Sequence, residues 1–178
     1  MKREIFISGI GGQGVMSIGK NLVEAGIAEG HGGSYVPSYG PEMRGGMSDC
    51  NVIISDEPIY SPVVDEPTDL IVMTSSSLAQ YENAVVPGGV IIVNSSTIHE
   101  KVTRTDIKAV YVPCDDIAAE LGSSKVANMV ILGAFVKAAG FLHMETLEQM
   151  IEEVFAGPKA KFIPLNKEAL HRGEACVV

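Results

Sequence analysis

At 178 residues the chain has the length of one ordinary domain, enough to bury a substantial core, and it combines many apolar residues with 19 glycines and no tryptophan. A formal net charge of −9 speaks against non-specific binding to nucleic acid or to an anionic membrane. Cys50, Cys114 and Cys176 are far apart and outside any CxxC pair, which excludes a disulfide framework and a zinc or iron–sulfur site contained in this chain. Met1–Glu4 leads into a strand-like run without an export signal, and no apolar stretch reaches the roughly 18–20 residues that span a bilayer. A reduced, cytoplasmic setting is the expectation.

Short β-rich runs alternate with longer helical ones, the pattern of a mostly parallel sheet covered on both faces. The first strand is expected at Glu4–Ser8 and the first helix at Gly14–Glu29. Strands follow at Gly33–Val36, Asn51–Ser55 and Leu70–Thr74, then a helix over Ser77–Val85. Pro87-Gly88-Gly89 is a turn that feeds a strand at Val90–Asn94, and the last strand is Val110–Pro113. Runs such as Val90-Ile91-Ile92-Val93 have no polar face, as in strands buried on both sides. Helices are expected at Asp115–Leu121, Lys125–Ala139, Met144–Phe155 and Asn166–His171, with Ser123 or Ser124 as a cap and Gly140 as a left-handed stop. The fold class is therefore α/β, Rossmann-like and doubly wound, with helices on both faces. Residues 1–178 read as a single domain with a C-terminal helical appendage from about residue 157, beyond Gly157-Pro158.

Between the first strand and the first helix stands Ser8-Gly9-Ile10-Gly11-Gly12-Gln13-Gly14. Gly9, Gly11 and Gly14 match G-x-G-x-x-G in its required context, and Gly12 is a further point of close approach. Glycines allow a tight turn, and a helix N-terminus offers free N–H groups to an anion. A dinucleotide site also wants an acid at the end of the second strand to hold the ribose hydroxyls. Gly33-Ser34-Tyr35-Val36-Pro37 has none, which weighs against NAD or FAD. A different phosphate-bearing ligand and plain close packing of helix on sheet both stay open.

The second distinctive segment is Pro37-Ser38-Tyr39-Gly40-Pro41-Glu42-Met43-Arg44-Gly45-Gly46-Met47-Ser48. Its turn formers mark an ordered loop. The fork of Arg44 suits a carboxylate or phosphate, and Glu42 is its local counter-charge. A Glu42–Arg44 contact that only shapes the loop is the plainer reading.

The two loops in this order and spacing resemble the gamma subunit of 2-oxoacid:ferredoxin oxidoreductases. The resemblance continues through Val52–Asp56, Pro58-Ile59, Leu70–Val72 and Asn128–Ala134, roughly residues 3 to 155. It implies an accessory subunit of an enzyme that oxidatively decarboxylates a 2-oxoacid, with 2-oxoglutarate favoured, to an acyl-CoA while reducing ferredoxin. It further implies alpha, beta and ferredoxin-like partner subunits that carry thiamine diphosphate, magnesium and iron–sulfur clusters. Coenzyme A is then a co-substrate, and no cofactor, metal or catalytic residue belongs to this chain alone. Gly9, Gly11, Gly12, Gln13, Gly14, Glu42, Arg44, Gly45 and Gly46 become candidate ligand or subunit-interface residues. A free-standing NAD(P) oxidoreductase and a purely structural assembly module are the alternatives.

Remaining polar residues have plainer roles. Asp115 and Asp116 suit a helix N-terminus, the serines at 75–77 suit capping, and His31, His99, His143 and His171 are expected on the surface. The helix Lys125–Ala139 is apolar almost all round, so it is buried in its own fold or in an interface, with Asn128 needing a partner.

Overall fold

The computed structural model describes residues 1–39 and 46–178. Six strands form one sheet in the order β2-β3-β1-β4-β5-β6. They are β1 (Lys2–Ile10), β2 (Gly32–Tyr39), β3 (Met47–Ser55), β4 (Asp69–Val72), β5 (Val90–Asn94) and β6 (Lys108–Val112). β1, β4, β5 and β6 are parallel, whereas β3 runs antiparallel to both of its neighbours, β1 and β2. All six expected strands are present, and the first three extend beyond their expected limits because ladder pairing continues there. β1 and β3 pair from Lys2↔Ser55 to Ile10↔Met47.

The helices are α1 (Val15–Ala28), α2 (Ser75–Tyr81), α3 (Cys114–Glu120), α4 (Ala127–Ala139), α5 (Met144–Val154) and α6 (Ile163–Glu174). Where limits differ from expectation, a local bond explains it. α2 starts two residues early because Thr74, not a serine, accepts the cap bond from Ser77 N. Ser123 accepts from Lys125 N, but Ser124–Val126 is a 3-10 turn and α4 is regular only from Ala127. Gly140 stops α4 at φ 69°, in the left-handed region.

The two faces of the sheet are covered unequally. Ile5, Ile7, Val52, Ile54, Ile71 and Ile92 pack beneath α1 and α3–α6. On the other face Leu70, Val72, Ile91 and Val93 meet Leu78 of α2 and two residues from connecting segments, Val85 and Ile98. α4 is buried within its own fold. A Cβ at Gly133 would collide with the Leu170 carbonyl of α6, and one at Gly173 would collide with the Val130 carbonyl of α4, so the two helix backbones touch. Burial on this scale contributes roughly 25 cal/mol per Å² of apolar surface.

The sheet's far end is clamped by charge. Asp69 is fully buried and receives both Nε and Nη2 of Arg3, with Thr68 Oγ1 donating at 2.7 Å. Burial pushes the Asp69 carboxyl above its ordinary range, and Arg3 opposes that rise. Arg3→Gln is expected to cost about 3 kcal/mol at neutral pH, because the charge left behind is buried. Only ionised Asp69 needs its cation. The deficit against wild type should therefore narrow as pH falls through the raised folded-state pKa, as followed by denaturant unfolding across pH. A pH-independent deficit would show that packing of Arg3 over Phe141 matters more.

Candidate functional site

Because β3 is antiparallel, its amino end joins the carboxyl ends of β1 and β4 on one rim of the sheet. Ligands of open α/β sheets collect outside such a rim. β1 ends at Ile10 and α1 begins at Val15. In the turn between them the Gln13 side chain folds back. Its Oε1 accepts from Ile10 N at 2.9 Å, and its Nε2 donates to the Met73 carbonyl, just past β4, at 3.2 Å.

Gly9 leaves the space for this brace. A Cβ there would stand 2.7 Å from Gln13 Oε1 and 2.9 Å from Met73 Cβ. Gly14 sits at φ 77°, and a Cβ would meet Asn128 Cβ at 2.9 Å. Asn128 is thus the wall of α4 against which the glycine turn rests, and its own Oδ1 accepts from Met129 N. Gly12 differs: its φ is 93° and nothing lies within 4 Å of a built Cβ, so its backbone is open. Gly11 N donates to the Gly46 carbonyl at 3.1 Å, which seats the start of β3 against the loop.

Among the described residues this rim borders a cavity of about 350 Å³ lined by Ile10, Gly11, Gly12, Gly14, the first turn of α1, and Gly46–Ser48. α1 has no side-chain cap and no acid in its first turn. Its leading N–H groups and positive dipole end therefore face the cavity uncompensated, which favours an anion. Four of the ten lining residues are glycine and the others are Ile10, Val15, Met16, Ser17, Met47 and Ser48, so among the described residues the lining carries no carboxylate, imidazole, amine or thiol.

Gly9, Gly11, Gly12, Gln13, Gly14 and Gly46 are thus brought together. Of these, Gly9 and Gln13 point inward and hold the turn, while Gly11, Gly12 and Gly14 line the cavity. Glu42, Arg44 and Gly45 lie outside the described residues. Behind the rim is a network that the sequence reading missed. Ser8 Oγ, fully buried, donates to Asp49 and shares a bond with Ser77 Oγ at 2.7 Å, and Tyr81 OH donates to Asp49 at 3.1 Å. Burial, then the Asp49 charge, raises the Tyr81 phenol. The available signal was Ser8 directly after the apolar run Ile5-Phe6-Ile7.

Other singled-out groups are structural. Asp115 accepts from Asn94 Nδ2 and Asp116 from Ser96 Oγ, so these acids tie α3 to the end of β5. His99, His143 and His171 are exposed, whereas His31 is half-buried and bonded to Asp56. Cys50 and Cys114 are fully buried; burial pushes the Cys50 thiol up to about 12, with Asp49 adding to it, and holds Cys114 well above its ordinary value. Sealed thiols do not fit an iron–sulfur cluster. Among the described residues no group of three or more His, Cys, Asp or Glu is placed to hold a metal ion, and no helix is long and apolar enough to cross a membrane.

Fold and rim together define an α/β domain with a glycine-rich cavity at the start of α1. Residues 4–176 match the family described as pyruvate ferredoxin/flavodoxin oxidoreductase. The ketoisovalerate oxidoreductase subunit VorA of Methanothermobacter thermautotrophicus is 40% identical over 169 residues, covering 94% of this chain and 35% of VorA. The chain thus spans about a third of that relative. The 2-oxoglutarate synthase subunit KorC of Methanocaldococcus jannaschii is 34% identical, covering 85% of this chain and 82% of KorC. Among solved structures, the keto/oxoacid ferredoxin oxidoreductase gamma subunit of Geobacter sulfurreducens superposes with a TM-score of 0.83 at 31% identity, covering 97% of this chain and 94% of that one. The chain belongs to the pyruvate ferredoxin/flavodoxin oxidoreductase family, as a gamma-type subunit.

Two expectations follow from the geometry. Gln13→Ala should cost about 1–3 kcal/mol, the penalty for leaving the Ile10 amide and Met73 carbonyl short of partners. It should also speed hydrogen exchange at the Ile10 amide; unchanged exchange would show that the brace is dispensable. Toward a thiol reagent at neutral pH, Cys50 and Cys114 should be inert in the folded state, and half-buried Cys176 should react first. Mass spectrometry of the labelled protein reads this directly.

Proposed function

We propose that the chain works as the gamma subunit of a 2-oxoacid:ferredoxin oxidoreductase, in which partner alpha, beta and ferredoxin-like subunits carry out the chemistry. In that reaction the 2-oxoacid loses carbon dioxide, its acyl group becomes a thioester of coenzyme A, and the released electrons reduce ferredoxin. Thiamine diphosphate with magnesium and the iron–sulfur clusters reside in the partners on this reading; the described residues of this chain offer neither a cluster ligand set nor a metal site. The whole chain acts as one unit in a cytoplasmic complex.

One observation carries the site assignment: an uncapped, acid-free helix start opens onto a glycine-rich cavity at the rim formed by the carboxyl ends of β1 and β4. We read this edge, together with the loop of Glu42, Arg44 and Gly45, as facing the coenzyme A path of the assembled enzyme. The phosphates of that co-substrate suit helix-start N–H groups and an arginine fork. The nicotinamide alternative finds no acid anywhere in β2. The substrate is 2-oxoglutarate on our reading; relatives named for 2-oxoglutarate, ketoisovalerate and pyruvate are all matched, and the last two define the competing candidates.

The test is co-purification of the tagged chain from native extract, followed by coenzyme A-dependent viologen reduction with a panel of 2-oxoacids. Thiamine- and iron–sulfur-containing partners with activity on 2-oxoglutarate are expected. A chain that emerges alone and binds nicotinamide overturns the proposal. In the assembled enzyme, Arg44→Ala should raise the coenzyme A KM by about tenfold or more, the worth of one charge-assisted hydrogen bond, without loss of assembly. If both KM and assembly are unchanged, the loop has no part in the coenzyme A path. Lost assembly with an unaltered KM in the residual complex would instead favour a structural module.

A further inference from the structure

Between β3 and β4 the chain crosses from Asp56 to Thr68 without regular structure, and it does so in a fixed path. Ser55 Oγ accepts from Glu57 N at 2.9 Å, and Asn51 Oδ1 accepts from Val64 N at 3.1 Å, so both ends are pinned to β3. Val64 and Pro67 are buried. Pro58 and Pro62 restrict the backbone between the pins. Over this short span Tyr60 is 93% exposed and Val63 is 55% exposed. An almost fully exposed tyrosine on a pinned, proline-stiffened arm does nothing for the fold, yet it offers a large contact area at little further entropy cost.

The charges around it say what it meets. Glu57, Asp65 and Glu66 flank the exposed stretch in the chain, are exposed themselves, and form no ion pair among the described residues. An apolar anchor set among unpaired carboxylates complements an apolar pocket rimmed by lysine or arginine. We propose that the arm Pro58–Val63 docks Tyr60 into such a basic-rimmed apolar pocket on a partner subunit of the oxidoreductase. This rests on the subunit reading given above and adds to it the residue that anchors the assembly. Exposed Tyr60 touches no part of the glycine rim, so docking and the coenzyme A path are separable.

The experiment is a competition during co-expression. Tagged variant and untagged wild-type chains are produced together with the partner subunits, and their ratio in the purified complex is measured. Tyr60→Ala should enter the complex roughly thirty-fold less than wild type, the loss typical of a central aromatic anchor, while its own thermal midpoint stays unchanged. Glu57→Gln, Asp65→Asn and Glu66→Gln combined should lower incorporation at low salt and little at high salt. Hydroxyl-radical labelling of Tyr60 should be suppressed in the wild-type complex relative to the free chain. Equal incorporation of Tyr60→Ala, or equal labelling of Tyr60 in both states, overturns the inference and leaves the subunit reading standing. So does a Tyr60-dependent homodimer in sedimentation, which would make the occupant a second copy. If the wild-type chain itself enters no complex, the subunit reading falls and takes this inference with it.

Discussion

The rim depends on one side chain. Gln13 satisfies the Ile10 amide and the Met73 carbonyl, and so ties the ends of two parallel strands across the turn that leads into α1. The glycines around it follow from that geometry. Gly9 must lack a Cβ because the amide occupies the space, and Gly14 must lack one because Asn128 does. With the turn held, the first N–H groups of α1 point outward rather than into the core. The open turn is therefore a by-product of packing a helix tightly against a sheet, and Gly12 is the position where the loop has room to spare.

What this edge lacks is as informative as what it offers. Its described lining is glycine with Ile10, Val15, Met16, Ser17, Met47 and Ser48, two cysteines are sealed in the core, and the nearby Ser8, Asp49, Ser77 and Tyr81 hydroxyls and carboxylate bond one another. The family to which the chain belongs is that of the pyruvate ferredoxin/flavodoxin oxidoreductases. The described residues show a braced turn at the rim and an exposed arm on the segment between β3 and β4.

The unequal cover of the sheet sets where each surface lies. Five helices on one face build the main core, and the direct contact of α4 with α6 through Gly133 and Gly173 draws the C-terminal helix onto it. On the opposite face the described cover is α2 and connecting segments, and the crossing from β3 to β4, pinned to Asn51, leaves Tyr60 exposed. The polar network beneath the rim sits on this thinner side, where a buried serine beside Asp49 is tolerated because every polar atom finds a partner.

Local chemistry was legible in the sequence. Apolar β-branched runs marked six strands, helical runs marked six helices, and glycine spacing marked the turn, because period, capping and left-handed backbone are decided by neighbouring residues. Ser123 and Gly140 were readable as stops and caps for the same reason. The direction of β3, the pairing of Gln13 with a carbonyl sixty positions away, the closure of α4 beneath α6 and the exposure of Tyr60 were not. An apolar strand reads alike in either direction, and a glutamine amide or an all-apolar helix acquires its partner only when distant segments meet. The sequence by itself determined the elements and the glycine turn; tertiary packing alone decided which groups were consumed inside and which were left exposed.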